Sequence, residues 1–149
     1  RDAVAFDRWS AKFTDLPVIS DDSGLEIEAL DNAPGIHSAR FAENLGGYQK
    51  AFAYIFEKIE GKSRKAKFCC DIVMLNLTKE PLLFQGRVEG EIITKITDQS
   101  DFGYDPIFLE YSLDKTYAKM NEKEKNKVSH RAKALQQLLS YLKTNNYID

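Results

Sequence analysis

The chain reads as an α/β domain built on a mixed, largely antiparallel sheet. Three observations predict this. Ala66 to Leu77 is a long strand-like run, apolar on both faces in its centre (Cys70, Ile72, Val73, Met74, Leu75), as a central strand of a covered sheet should be. A helical pattern precedes it, with Tyr48, Ala51, Phe52, Ile55, Phe56 and Ile59 at helical spacing. A second helical pattern closes the chain, with Leu135, Leu138, Leu139 and Leu142 as its expected buried stripe.

Each element follows from local chemistry. Val4, Ala5, Trp9 and Phe13 fit a first amphipathic helix, which Pro17 ends. Val18-Ile19 and Leu25 to Leu30 read as two short strands. Between them Ser20-Asp21-Asp22-Ser23-Gly24 reads as a polar turn. A turn does not need two adjacent carboxylates, which repel unless a cation, a proton or hydrogen-bond donors compensate. Asn32-Ala33-Pro34-Gly35 signals a second turn, and Ile36 to Phe41 reads as a surface loop. Gly46-Gly47 breaks the chain before the first clear helix, and Gly61 stops that helix. Leu82 to Phe84 and Arg87 to Ile96 are two strands, or one with a glycine bulge. Asp98 to Pro106 is a polar loop, Ile107 to Leu109 is extended, and Lys115 to Lys127 is a charged stretch. Ser129 suits the N-cap of the last helix, which places His130 and Arg131 in its first turn. A cation there is disfavoured by the helix dipole unless an anion or another acceptor stands nearby.

Composition narrows the function classes. The 149 residues suit one compact domain over 1–149, and 43% apolar residues supply a core. A net charge of -2 with interspersed signs lacks the basic footprint of a nucleic-acid polymer binder. No apolar run is long enough to span a bilayer. The two cysteines, Cys69 and Cys70, are adjacent on a strand and point to opposite faces, so they are expected reduced, in a cytoplasmic protein.

Four stretches stand in order: Ser20-Asp21-Asp22-Ser23-Gly24-Leu25, Ala33-Pro34-Gly35-Ile36-His37-Ser38-Ala39-Arg40, Phe102-Gly103-Tyr104-Asp105-Pro106-Ile107-Phe108, and Glu124-Lys125 leading to Ser129-His130-Arg131. Together they resemble the inosine triphosphate pyrophosphatase family over nearly the whole chain. The resemblance implies a long twisted mixed β-sheet with helical lobes flanking a central cleft, in a homodimer. It implies hydrolysis of ITP, dITP or XTP to the monophosphate and pyrophosphate with Mg²⁺. On that resemblance Asp22 is the general base and a metal ligand, and Asp21 supports the metal. Ser23 hydrogen-bonds the substrate. Phe102 stacks on the purine, with Gly103, Tyr104 and Asp105 completing the wall. Lys125 contacts the substrate, and His130 and Arg131 read the 6-oxo edge. Donors facing the 6-amino group of adenine would be left unpaired, which rejects ATP.

The family's phosphate-gripping Thr/Ser-x-Asn-x-x-Lys loop and a Glu-containing metal segment are not in this sequence. The stretch before the acidic motif has Arg1-Asp2-Ala3 and Phe6 where the family has Glu-Asn-Ala and a lysine. The chain is therefore expected to be N-terminally truncated, with weak turnover by itself. Two alternatives stand beside the enzyme: a catalytically impaired nucleotide-binding remnant of the family, and a dimeric aspartic protease built on Asp22-Ser23-Gly24.

Overall fold

The computed structural model describes residues 14–100 and 102–149. The predicted first helix and the Arg1-Asp2-Ala3 and Phe6 positions lie outside the described residues. The elements in order are β1 (Val18–Ile27), β2 (Ala33–Gly35), α1 (Ser38–Leu45), α2 (Tyr48–Lys58), β3 (Lys65–Leu75), β4 (Leu82–Ile92), β5 (Phe108–Glu110), β6 (Lys115–Thr116), α3 (Glu122–Val128) and α4 (His130–Thr144). Single 3-10 turns lie at Glu28–Leu30, Asp105–Ile107 and Tyr117–Lys119. The strands form one sheet of order β2-β1-β3-β4-β5-β6. The pairs β1–β2, β4–β5 and β5–β6 are antiparallel. The six-residue link from β3 to β4 is too short for a crossover, so that neighbouring pair is antiparallel too. The predicted α/β class with a largely antiparallel sheet is the fold observed, and β3 is an inner strand.

The residues group into two compact units. Among the described residues, the first comprises 14–23, 69–87 and 130–149, and the second 24–68, 88–100 and 102–129. The first unit buries Cys70, Ile72, Met74 and Phe84 against Ala134 and Leu138 of α4, with Tyr141 and Leu142 packed at the margin. Its helix contact line differs from the predicted stripe. Leu135 and Leu139 are 40% and 47% exposed, whereas Ala134 is wholly buried. The cause is Gly86: a Cβ there would stand 2.0 Å from the His130 carbonyl oxygen and 2.7 Å from the Ala134 amide nitrogen. The bare strand lets the α4 backbone settle on it through its smallest residue. The line of contact then runs 134, 138, 141, 142 rather than through Leu135 and Leu139.

The second unit has the larger core, in which Leu25, Ile27, Phe52, Ile55, Ile92, Ile107, Phe108 and Tyr117 are fully or almost fully buried. Phe108 anchors it, edge-on to Phe68 at 4.8 Å and tilted to Tyr117 at 5.1 Å between ring centroids. Each such side chain contributes about 1.5–3 kcal/mol on burial. Strand alternation is clear in β4, where Phe84, Gly86, Val88, Gly90 and Ile92 are buried and their neighbours are not.

Several expected elements are different. Val18–Ile27 is one continuous strand, so the Asp-Asp-Ser-Gly stretch is not a turn. Gly24 serves strand pairing instead: a Cβ there would stand 2.1 Å from the Gly35 carbonyl oxygen. Of the two readings from Leu82 to Ile96, the single strand is the one observed, and it ends at Ile92. The loop read at Ile36 to Phe41 gives way to α1. Its stop signal is Gly46, at φ 96, which also precedes α2. The charged stretch contains α3, which buries none of its residues and is held by a capping box between Asn121 and Glu124. Ser129 accordingly terminates α3, its amide donating to the Lys125 carbonyl, and α4 starts at His130.

Candidate active-site residues

The first set lies on β1 and α4. Side chains alternate along a strand, so Ile19, Asp21 and Ser23 share one face and Asp22 occupies the other. On the first face Arg131 reaches back from the opening turn of α4. Its Nε lies 3.0 Å from Asp21 Oδ2, and its Nη2 donates to Ser23 Oγ at 3.4 Å. Asp21 is thus the anion that a cation at a helix N-terminus requires. Both side chains are about half exposed, so the pair contributes roughly 0.2–1 kcal/mol. A cavity of about 120 Å³ opens here, lined by Ile19, Ser20, Asp21, Ile72, Arg131 and Leu135. Ligand pockets run from about 300 Å³ upward, so this space is too small for a nucleotide. Burial pushes the Cys70 thiol up, while hydrogen bonding from Ser23 pulls the other way. Asp22 and His130 are half-buried.

The second set belongs to the Phe102–Asp105 loop and α3. Phe102 is 73% exposed, an aromatic face offered to solvent. Its amide donates to Ser100 Oγ, and the Asp105 amide closes a turn onto the Phe102 carbonyl at 3.0 Å. Gly103 takes φ 52 in that turn, a conformation that most side chains avoid. Lys125 Nζ stands 4.9 Å from the Phe102 ring centroid and 5.7 Å from that of Tyr117. The same ammonium is ion-paired with Asp105 Oδ2. Asp105 is buried, which pushes its carboxyl up, and the hydrogen bond and charge of Lys125 oppose that rise. Tyr104 is turned inward, edge-on to Tyr48 at 5.1 Å and to Phe52 at 6.0 Å. Its hydroxyl donates to the Ser38 carbonyl at 2.5 Å, and burial, then Tyr48, raises its pKa.

The predicted residues therefore form two local sets: Asp21, Ser23 and Arg131 in mutual contact, and Phe102, Asp105 and Lys125 in mutual contact. The sequence reading missed Ser38, whose partners include Tyr104, and Gly86, which seats His130. Ser38 stood inside a quoted motif without a role, and the Gly86 signal was a glycine in a strand pattern. A larger cavity of about 450 Å³ lies elsewhere in the second unit, lined by residues including Glu26, Lys65, Lys67, Glu89 and Tyr111. It contains none of the predicted residues. Its charges are interleaved, with Glu26 already 3.6 Å from Lys67. Among the described residues no three or more His, Cys, Asp or Glu converge as a metal-binding group, and no helix is long and apolar enough to cross a membrane.

The sequence profile of the Ham1 family matches residues 3–141. A dITP/XTP pyrophosphatase of Desulfotalea psychrophila is 41% identical over 130 residues, covering 87% of this chain and 58% of that relative. One of Halalkalibacterium halodurans is 44% identical over 129 residues, covering 85% and 66%. The Staphylococcus aureus Ham1 protein structure superposes with a TM-score of 0.90 at 36% identity, over 97% of this chain and 76% of that one. The chain thus spans less than two thirds of the length of the first two relatives. The aspartic-protease reading falls, since Asp22-Ser23-Gly24 lies within a continuous strand and the matching family is a different one. By profile, relatives and superposition alike, this chain belongs to the Ham1 family.

Proposed function

We propose that this chain acts in the hydrolysis of non-canonical purine nucleoside triphosphates (ITP, dITP, XTP) to the monophosphate and pyrophosphate. The observation that carries the proposal is the exposed Phe102 ring with the Lys125 ammonium beside it, held by the buried Asp105 carboxylate. A flat apolar face suits a heteroaromatic base, and base–aromatic stacking contributes about 1–3 kcal/mol. A fixed donor beside that face suits a base rich in oxygen acceptors. His130 and Arg131 are the proposed donors to the 6-oxo edge, and Ser23 a proposed substrate contact. Gly103 and Tyr104 shape the wall rather than bond the base.

Asp22 is the proposed general base, taking the proton of the water that cleaves the phosphoanhydride. Mg²⁺ is the proposed metal. Hard carboxylate oxygens suit it, and it is commonly held by one or two carboxylates together with substrate phosphates and water. Asp22 is the residue that would hold it; Asp21 lies on the opposite face of β1, pairs with Arg131, and does not fit the same ion. When bound, the ion would neutralise phosphate charge. A homodimer and a cytoplasmic location complete the proposal; two free buried cysteines accord with a reducing compartment.

The test is pyrophosphate release from ITP and Mg²⁺, compared with ATP. Release from ITP that exceeds release from ATP and disappears in Asp22→Asn is the expected result. Equal turnover of ITP and ATP, or an undiminished Asp22→Asn, would overturn the reading.

A further inference from the structure

The stretch Ala33–Arg40 stood out in the sequence and has no part in the proposed chemistry. At its centre Ser38 is 6% exposed and more heavily bonded than a surface serine would be. Its hydroxyl donates to the Gly35 carbonyl at 2.6 Å and accepts the Leu25 amide at 2.9 Å. Its carbonyl accepts the Tyr104 hydroxyl at 2.5 Å. The hydroxyl thereby uses its only proton and one of its lone pairs on backbone groups. The backbone it clasps is tight: the Gly35 carbonyl sits where a Cβ of Gly24 would be. Leu25 follows the Asp21-Asp22-Ser23-Gly24 run directly.

We infer that Ser38 is a positioning residue for base binding, acting through Tyr104 on the Phe102–Asp105 loop. The inference rests on the proposed nucleotide function. Tyr104 sits between Phe102, which offers the stacking face, and Asp105, which holds Lys125 beside it. The Tyr48 and Phe52 rings fix the plane of Tyr104. The bond to Ser38 fixes how deep its hydroxyl sits, and hence the height of the loop on either side. A single oxygen on Ser38 holds the carbonyl in place, so the wall depends on a residue that never touches the base. The Tyr104 hydroxyl, engaged inside the protein, is a tether and not a substrate contact.

The experiment measures binding of inosine monophosphate and of inorganic tripolyphosphate by calorimetry. The proteins are the wild-type chain, Ser38→Ala, Tyr104→Phe and the double variant. Each single change should weaken inosine monophosphate on the order of fivefold: Tyr104→Phe loses its one hydrogen bond to the Ser38 carbonyl, and Ser38→Ala frees that carbonyl by losing the two hydroxyl bonds that hold it. Tripolyphosphate, which has no base, should bind unchanged. The double variant should be no weaker than the weaker single, because both changes open one connected set of bonds. Parallel loss of both probes would mark general destabilisation and overturn the inference, as would multiplying losses in the double variant or undiminished inosine monophosphate binding. Should Ser38→Ala fail to fold, Tyr104→Phe decides through the same two probes, since it removes one oxygen and keeps the ring. A wild-type chain that binds tripolyphosphate but not inosine monophosphate would sink the nucleotide reading itself, and the inference with it.

Discussion

Two ion pairs of similar chemistry stand in the two units, and they do different work. Arg131–Asp21 is exposed, with side-chain exposures of 58% and 47%. Lys125–Asp105 is largely buried, at 30% and 9%. In water an ion pair gains little, because solvent screens the attraction and ordering two side chains costs entropy. In the interior the attraction is stronger, yet each partner becomes costly without the other. The exposed pair can be opened cheaply, as the proposed role of Arg131 in substrate contact would require. The buried pair is a fixed part of the wall that carries Phe102. Function at the exposed pair should thus be separable from stability, and at the buried pair it should not.

The sharpest break of this comparison is Asp22→Asn. Turnover should fall by about 10²- to 10⁴-fold, the share a general base supplies, with an unaltered urea midpoint. A large loss of stability with it would place Asp22 among the structural residues. Next comes Lys125→Ala, which strands a buried carboxylate and should cost about 3 kcal/mol in urea unfolding. Arg131→Ala, measured the same way, should cost less than about 1 kcal/mol. Equal losses would erase the distinction between the pairs. Phe102→Ala should weaken ITP by about 1–3 kcal/mol in calorimetry while leaving stability nearly unchanged, because that ring is exposed.

The smallest effect is a pH slope. Burial holds the Asp105 carboxyl above its ordinary value of 3.8, so the folded state binds this proton more tightly than the unfolded state does. Its contribution to stability is greatest below that value and declines as pH rises through the folded pKa. Glu124, held low chiefly by its hydrogen bond from Lys115, has the opposite sign, and its contribution is lost as pH falls. Asp105→Asn should remove the declining component, read as a shallower fall in melting temperature from pH 4 upward, on the order of a few degrees at most. An unchanged profile would show that Lys125 cancels the burial effect.

Much of this was legible because it is local. The α2 stripe, the apolar run of β3 and the order of the four motifs could be read without knowing any contact. The acidic run misled because Asp, Ser and Gly are turn residues by backbone preference. Here Gly24 is needed for close approach of Gly35, a requirement visible only once β2 is paired. The α3 helix was missed for the converse reason: it buries nothing, so hydrophobic period is silent, though Asn121 and Glu124 spell a capping box. The leucine stripe of α4 was misplaced by Gly86, more than forty residues away in sequence.

The sequence by itself determined the α/β class, the central place of β3 and the family, and it named the candidate acids, aromatic and basic residues. These follow from side-chain period and residue chemistry, which are properties of a chain read in one dimension. Tertiary structure alone decided that Asp21 and Asp22 face apart, that Arg131 closes on Asp21, that Lys125 lies beside Phe102 over a buried Asp105, and that Ser38 holds Tyr104. Each of these depends on packing between segments distant in sequence. There a missing Cβ or a single buried hydroxyl sets the distance between backbones, and no local propensity encodes which distant partner it will meet.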